Sequence, residues 1–104
     1  MTDEQRWFSI IACAGESFSL LNDALQAAKS GDITEAERCF NESENILQQA
    51  HHIQSESLQG EINGQPIAFS MLFVHAQDHL MNVLLAQNIY REFIELHKNK
   101  LSGR

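Results

Sequence analysis

Residues 2–32 read TDEQRWFSIIACAGESFSLLNDALQAAKSGD, and the apolar spacing in this stretch decides the fold. Trp7, Ile11, Ala14, Phe18, Leu21, Leu25 and Ala28 recur at alternating intervals of four and three, a heptad seam on one long helix. Thr2 with Gln5 forms a capping-box start. Lys29, Ser30 and Gly31 end the helix, with a cation in the last turn and a glycine where left-handed backbone is favoured. Asp32 with Glu35 then opens a second helix by the same capping device. The connection is left with two or three residues, which makes the first two helices antiparallel neighbours.

In the second helix Ile33, Ala36, Phe40, Leu47 and Ala50 share a face, with Cys39, Ile46 and Ile53 beside it. Seven acids from Asp32 to Glu61 face a single base, Arg38, which reads as a solvated surface with no chemistry assigned to it. Gly60, Asn63, Gly64 and Pro66 break the pattern and predict a loop of about six residues. Helical spacing resumes near Ile67 or Ser70 and runs to about Lys100. Here apolar residues fall almost all round the helix: Leu72, Phe73, Val74, Leu80, Met81, Val83, Leu84, Leu85, Ile89, Phe93, Ile94 and Leu96. Such a helix must be covered on every side, and two partner helices cover only part of its circumference. The expectation is an all-α subunit, an antiparallel three-helix bundle forming one domain over residues 1–104, that associates with copies of itself.

Composition narrows the function. With 104 residues, 43% apolar, 20% charged, five glycines and one proline, this is a folded globular chain. Fourteen acids against seven bases give a net charge of −7, which argues against nucleic acid or anionic lipid as a partner. The longest apolar stretches reach four or five residues, against about 20 for a membrane-spanning helix, and no basic-then-apolar leader opens the chain. A cytoplasmic location is the expectation. Cys13 and Cys39 are read as buried free thiols in a reducing compartment.

The dense chemistry lies in the third helix, where His75, Ala76, Gln77, Asp78 and His79 interrupt the apolar run. Met71, His75, Asp78, Asn82, Leu85 and Ile89 form a heptad seam that turns polar midway and apolar again. Three readings stand side by side. His75, Asp78 and Asn82 are buried polar groups that fix register and oligomer number. Alternatively His75, Asp78 and His79 chelate a metal such as zinc in a helical interaction module. In the third reading a histidine is a nucleophile, its in-plane lone pair attacking phosphorus while a neighbour holds the other ring nitrogen. No glycine-rich phosphate loop or cationic cluster accompanies it, so the phosphoryl group would have to arrive on another protein.

The run Val74-His75-Ala76-Gln77-Asp78-His79-Leu80-Met81 resembles the active-site signature of the lactose/cellobiose-type IIA component of the phosphoenolpyruvate-dependent sugar phosphotransferase system. The resemblance extends to Ala14-Gly15, to Ala27 through Asp32, to Ala50-His51 and Gln54, and to Ile94-Glu95-Leu96. Cys13 and Ser55 depart from the family pattern, and neither touches the signature. The resemblance implies that His75 carries the phosphoryl group on its Nε2 (tele) nitrogen. It would accept it from the phosphohistidine of HPr and pass it to a cysteine of the IIB component, with the membrane IIC component served indirectly. It further implies a homotrimer in which Asp78 of each subunit meets near the three-fold axis around a divalent cation, with disaccharide uptake as the process.

Physical reasoning supports that division. Three carboxylates brought together in an apolar bundle cannot all stay ionised without compensation, and magnesium, which prefers oxygen ligands, is the expected ion at Asp78. Gln77 and His79 are candidate donors to the phosphoryl oxygens, with contact across a subunit boundary left open. The absence of a strong cationic clamp suits a carrier, which must release what it binds. His51 and His52 are assigned capping or interfacial roles, and His97 suits the C-terminal end of a helix dipole. The aromatics Trp7, Phe8, Phe18, Phe40, Phe69, Phe73 and Phe93 are assigned to core or docking surface.

Overall fold

The computed structural model describes residues 1–102, so Gly103 and Arg104, the end of the expected 1–104 domain, lie outside the described residues. Helix α1 spans Asp3–Lys29 and starts with the reciprocal box the sequence predicts. The Gln5 N–H donates to Thr2 Oγ1 at 3.1 Å and the Thr2 N–H to Gln5 Oε1 at 2.9 Å. It ends in a Schellman motif, the Asp32 N–H donating to the Ala27 carbonyl at 2.9 Å and the Gly31 N–H to Ala28 at 3.1 Å. That geometry requires the φ of 90° found at Gly31, which a Cβ would strain.

Helix α2, Ile33–Ile62, repeats the ending with Gly64 at φ 89°, the Gln65 N–H donating to the Gly60 carbonyl at 2.8 Å. Gly60 thus sits in the last helical turn and not in the loop, and the connection runs over residues 63–70, longer than expected. Only half of the second predicted capping box forms. Asp32 accepts from the Glu35 N–H at 3.1 Å, but the Glu35 carboxylate turns away to Arg38 at 2.6 Å and to the Cys39 thiol. Ser70 caps α3, Met71–Leu101, by accepting from the Phe73 N–H at 3.0 Å.

The helices run up, down and up in a rod of 55 × 20 × 18 Å. Helix α1 packs along both others, while α2 and α3 approach each other least and leave a groove between them. The buried side of α1 is Trp7, Ile10, Ala14, Ser17, Leu21, Ala24 and Ala28. The heptad anchors are as expected, but Ile11 and Leu25 are only partly buried and Phe18 is exposed, displaced by Ile10, Ala24 and Ser17. Small side chains, Ala14, Ser17, Ala24 and Ala28, make up much of this buried side, and Ala36, Ala50 and Ala76 are buried on α2 and α3. Ile10, Leu21, Leu47 and Leu80 fill the space between as fully buried side chains, each contributing about 1.5–3 kcal/mol.

A buried polar chain crosses this core. Gln87 Nε2 donates to Ser43 Oγ at 3.2 Å, the Ser43 and Ser17 hydroxyls lie 2.8 Å apart, and the Ser17 hydroxyl donates to the Ser43 carbonyl at 2.9 Å. One orientation of the protons satisfies every group, and among the described residues no buried side-chain nitrogen or oxygen lacks a partner. Neither cysteine is activated: Cys39 is buried and Cys13 half-buried, and burial pushes both thiols up from the ordinary value.

Two substitutions test this account by denaturant unfolding. Ser43→Ala orphans the buried Gln87 amide and is expected to cost about 1–3 kcal/mol. Gly31→Ala places a Cβ in left-handed backbone and is expected to cost about 1 kcal/mol with the fold retained.

Candidate functional site: the histidine pair on the open face of the third helix

The inward side of α3 is Ala76, Leu80, Val83, Gln87 and Ile94. At 3.6 residues per turn the seam predicted from the sequence, Met71, His75, Asp78, Asn82, Leu85 and Ile89, falls on the opposite side. All six residues are exposed in the single chain, with Met71 76%, Leu85 60% and Ile89 45% accessible. Phe93 and Leu96 continue the apolar stripe. Within one chain this side of α3 is uncovered, in keeping with the expectation that two partner helices cover only part of its circumference.

His75 and His79 converge on this face. Their Nε2 atoms are 3.2 Å apart and the rings meet edge to face, centroids 4.4 Å apart at 88°. Positions i and i+4 on a helix point the same way, which is why the pair forms without help from another element. One Nε2 carries the shared proton and donates it, and the other accepts through its lone pair. His75 is exposed and His79 half-buried, so the pair stands at the surface where a partner protein can reach it.

Asp78 does not join the pair. Among the described residues no three His, Cys, Asp or Glu side chains gather as a metal site, so chelation by His75, Asp78 and His79 of one chain is not formed. Asp78 is exposed on the stripe and offers a single carboxylate. Gln77 lies about 160° round the helix from His75 and points to α2, where its Oε1 accepts from Gln54 Nε2. Within one chain it does not reach the imidazoles. Gln54 is buried, also approaches Met81 Sδ at 3.9 Å, and anchors the inner side of the site's helix. Its partnership with Gln77 has no local sequence signal.

The other expectations sort by position. His51 lines the groove between α2 and α3 with Leu84 and Gln87, two to three turns along from His75, and His52 pairs with Glu56 at 2.8 Å on the surface. Trp7 packs tilted at 58° against Phe73, ring centroids 4.8 Å apart, and Phe40 lies beneath Arg91 at 5.1 Å, while Phe8, Phe18, Phe69 and Phe93 are exposed. The acidic face of α2 is a solvated, ion-paired surface. Arg38 holds Glu35 at 2.6 Å and Glu42 at 3.0 Å, and its hydrogen bonds bring the Glu35 carboxyl down to about 2. Among the described residues no helix is long and apolar enough to cross a membrane.

Residues 5–98 match the model of the family described as PTS system, lactose/cellobiose specific IIA subunit. The lichenan-specific phosphotransferase enzyme IIA component of Bacillus subtilis strain 168 is 41% identical over 95 residues, spanning 91% of this chain and 86% of that protein. The crystal structure of the cellobiose-specific enzyme IIA of Bacillus anthracis superposes with a TM-score of 0.91 at 38% identity, over 100% of this chain and 95% of that one. The IIA(chitobiose) chain solved in complex with HPr, from the N,N'-diacetylchitobiose branch of the Escherichia coli phosphotransferase system, superposes with a TM-score of 0.82 at 33% identity, over 95% and 96% of the two chains. Matching sequence and matching three-helix architecture lead to one conclusion: the chain belongs to the lactose/cellobiose-specific IIA family of the sugar phosphotransferase system, whose members are phosphoryl-relay components.

Proposed function

We propose that His75 is the phosphoryl acceptor of this IIA component, taking the group from phospho-HPr and delivering it to a cysteine of the IIB component in the cytoplasm. The observation that carries this reading is the exposed His75–His79 pair, with Nε2 atoms 3.2 Å apart on an open helix face. With His79 as the donor, His75 keeps its proton on Nδ1 and presents the Nε2 lone pair. That lone pair forms the bond to phosphorus as the donor's N–P bond breaks and its electron pair returns to the donor imidazole. The His79 N–H then stands beside the new phosphoryl group and donates to one of its oxygens. In the second transfer a thiolate of IIB forms the S–P bond and the pair returns to His75. Gln77 reaches a phosphoryl group only from a neighbouring subunit, since its own His75 lies on the other side of α3.

The trimer follows from the stripe. Met71, Leu85, Ile89, Phe93 and Leu96 would stay in water in a lone chain, and three copies of α3 meeting along this heptad seam cover them. Each copy then brings Asp78 to the axis. One chain does not fit a cation, having one carboxylate there, but three supply an oxygen-only donor set of the kind magnesium takes. A bound ion would supply charge neutralisation between the carboxylates and no part of the transfer chemistry. The names of the lichenan, lactose, cellobiose and diacetylchitobiose relatives support a β-linked disaccharide as the sugar served.

Intact mass after incubation with phosphoenolpyruvate, enzyme I and HPr tests the relay. Wild type is expected to gain one acid-labile phosphoryl group per chain and His75→Ala none; equal labelling of His75→Ala would refute the assignment. Sedimentation tests the assembly. Asp78→Leu is expected to remain trimeric or tighten, because it removes buried repulsion, whereas Ile89→Asp should dissociate the protein. Monomers for Asp78→Leu, or an intact trimer for Ile89→Asp, count against the seam.

A further inference from the structure

The separation of the two imidazole nitrogens suits more than a hydrogen bond. Zinc binds histidine nitrogen at about 2.0–2.1 Å, and an ion at that distance from two nitrogens 3.2 Å apart subtends roughly 103°, near the tetrahedral angle. The i, i+4 spacing holds both ligands on one rigid helix, so little ordering entropy remains to oppose binding. The pair is open in the single chain and lies about 60° round α3 from the middle of the apolar stripe that a trimer would cover, so two coordination positions are left for water or an oxygen of an incoming group.

We propose that the His75–His79 pair is a two-nitrogen site for a borderline transition-metal cation, zinc foremost, and that an ion held there blocks the Nε2 atom that takes the phosphoryl group. The metal site stands on geometry alone, while the blocking rests on the phosphoryl-acceptor reading of His75. Binding requires both rings neutral with their protons on Nδ1. The one proton shared between the Nε2 atoms passes through solvent to Nδ1 of its own ring, and no net proton is released from the neutral pair. Zinc and phosphoryl group then compete for the same lone pair. Magnesium does not enter the competition, because it takes oxygen ligands and keeps its water. Asp78 is not part of the site, which separates it from the carboxylates proposed at the trimer axis.

The test uses the whole unphosphorylated chain and zinc itself in competition with a chromogenic chelator, with cobalt(II) as a spectroscopic reporter of nitrogen coordination. His79→Ala and His75→Ala are each expected to weaken zinc binding roughly tenfold or more, and His97→Ala to leave it unchanged. Unchanged affinity in His79→Ala overturns the site. A second arm preforms phospho-HPr, removes enzyme I and follows phosphoryl transfer. Zinc is expected to slow transfer to wild type, EDTA to restore it, magnesium to leave it unaffected, and His79→Ala to need about tenfold more zinc for equal inhibition. Transfer that proceeds unchanged with zinc bound overturns the blocking. Zinc binding that needs both histidines, in a protein that accepts nothing from phospho-HPr without zinc, overturns the relay reading and leaves the metal site standing.

Discussion

Among the described residues, Ser43 is the point where side-chain hydrogen bonds tie all three helices together. It accepts from Gln87 of α3 and exchanges hydrogen bonds with Ser17 of α1, all of it shut away from water. Apolar contacts tolerate sliding by a turn, whereas a buried hydroxyl that loses its partner does not. The chain of three side chains therefore fixes height as well as rotation. With Gln87 turned inward, Ala76, Leu80 and Val83 must follow it, and the face carrying His75, Asp78 and Leu85 is turned out. The outward turn of the surface that carries the proposed phosphoryl acceptor is a consequence of a buried bond some three turns away.

Much of this was legible in the sequence. The three helices, the glycine stop at Gly31, the short first connection and the surplus apolar surface of α3 all follow from spacing and turn chemistry. The convergence of His75 and His79 is legible too, because it depends only on helical geometry. Ranking by hydrophobicity failed at Phe18 and Leu25. Large side chains are the stronger apolar signal, yet it is the small Ser17 and Ala24 that are fully buried, while Phe18 is exposed and Leu25 only partly buried. Gly60 misled for a similar reason, since a glycine can serve inside a last turn as well as beyond it.

What spacing cannot carry is register between helices. Gln54 and Gln77 are 23 residues apart, and their meeting depends on how α2 lies against α3. That Gln77 and His75 face opposite sides of α3 follows from their two-residue spacing, but which neighbour Gln77 meets does not. Likewise the resemblance of the Val74 to Met81 run points to the histidine, but not to the exposure that separates a carrier from a buried register-setting group.

The two Schellman turns have a kinetic consequence. Each joins neighbours in sequence, and small all-helical topologies of this kind fold in about microseconds to milliseconds. Folding of the single chain leaves the outer stripe of α3 bare. If the proposed trimer forms, how long that stripe stays bare is set by the frequency of encounter between finished subunits, and so by their concentration, with chain folding too fast to matter.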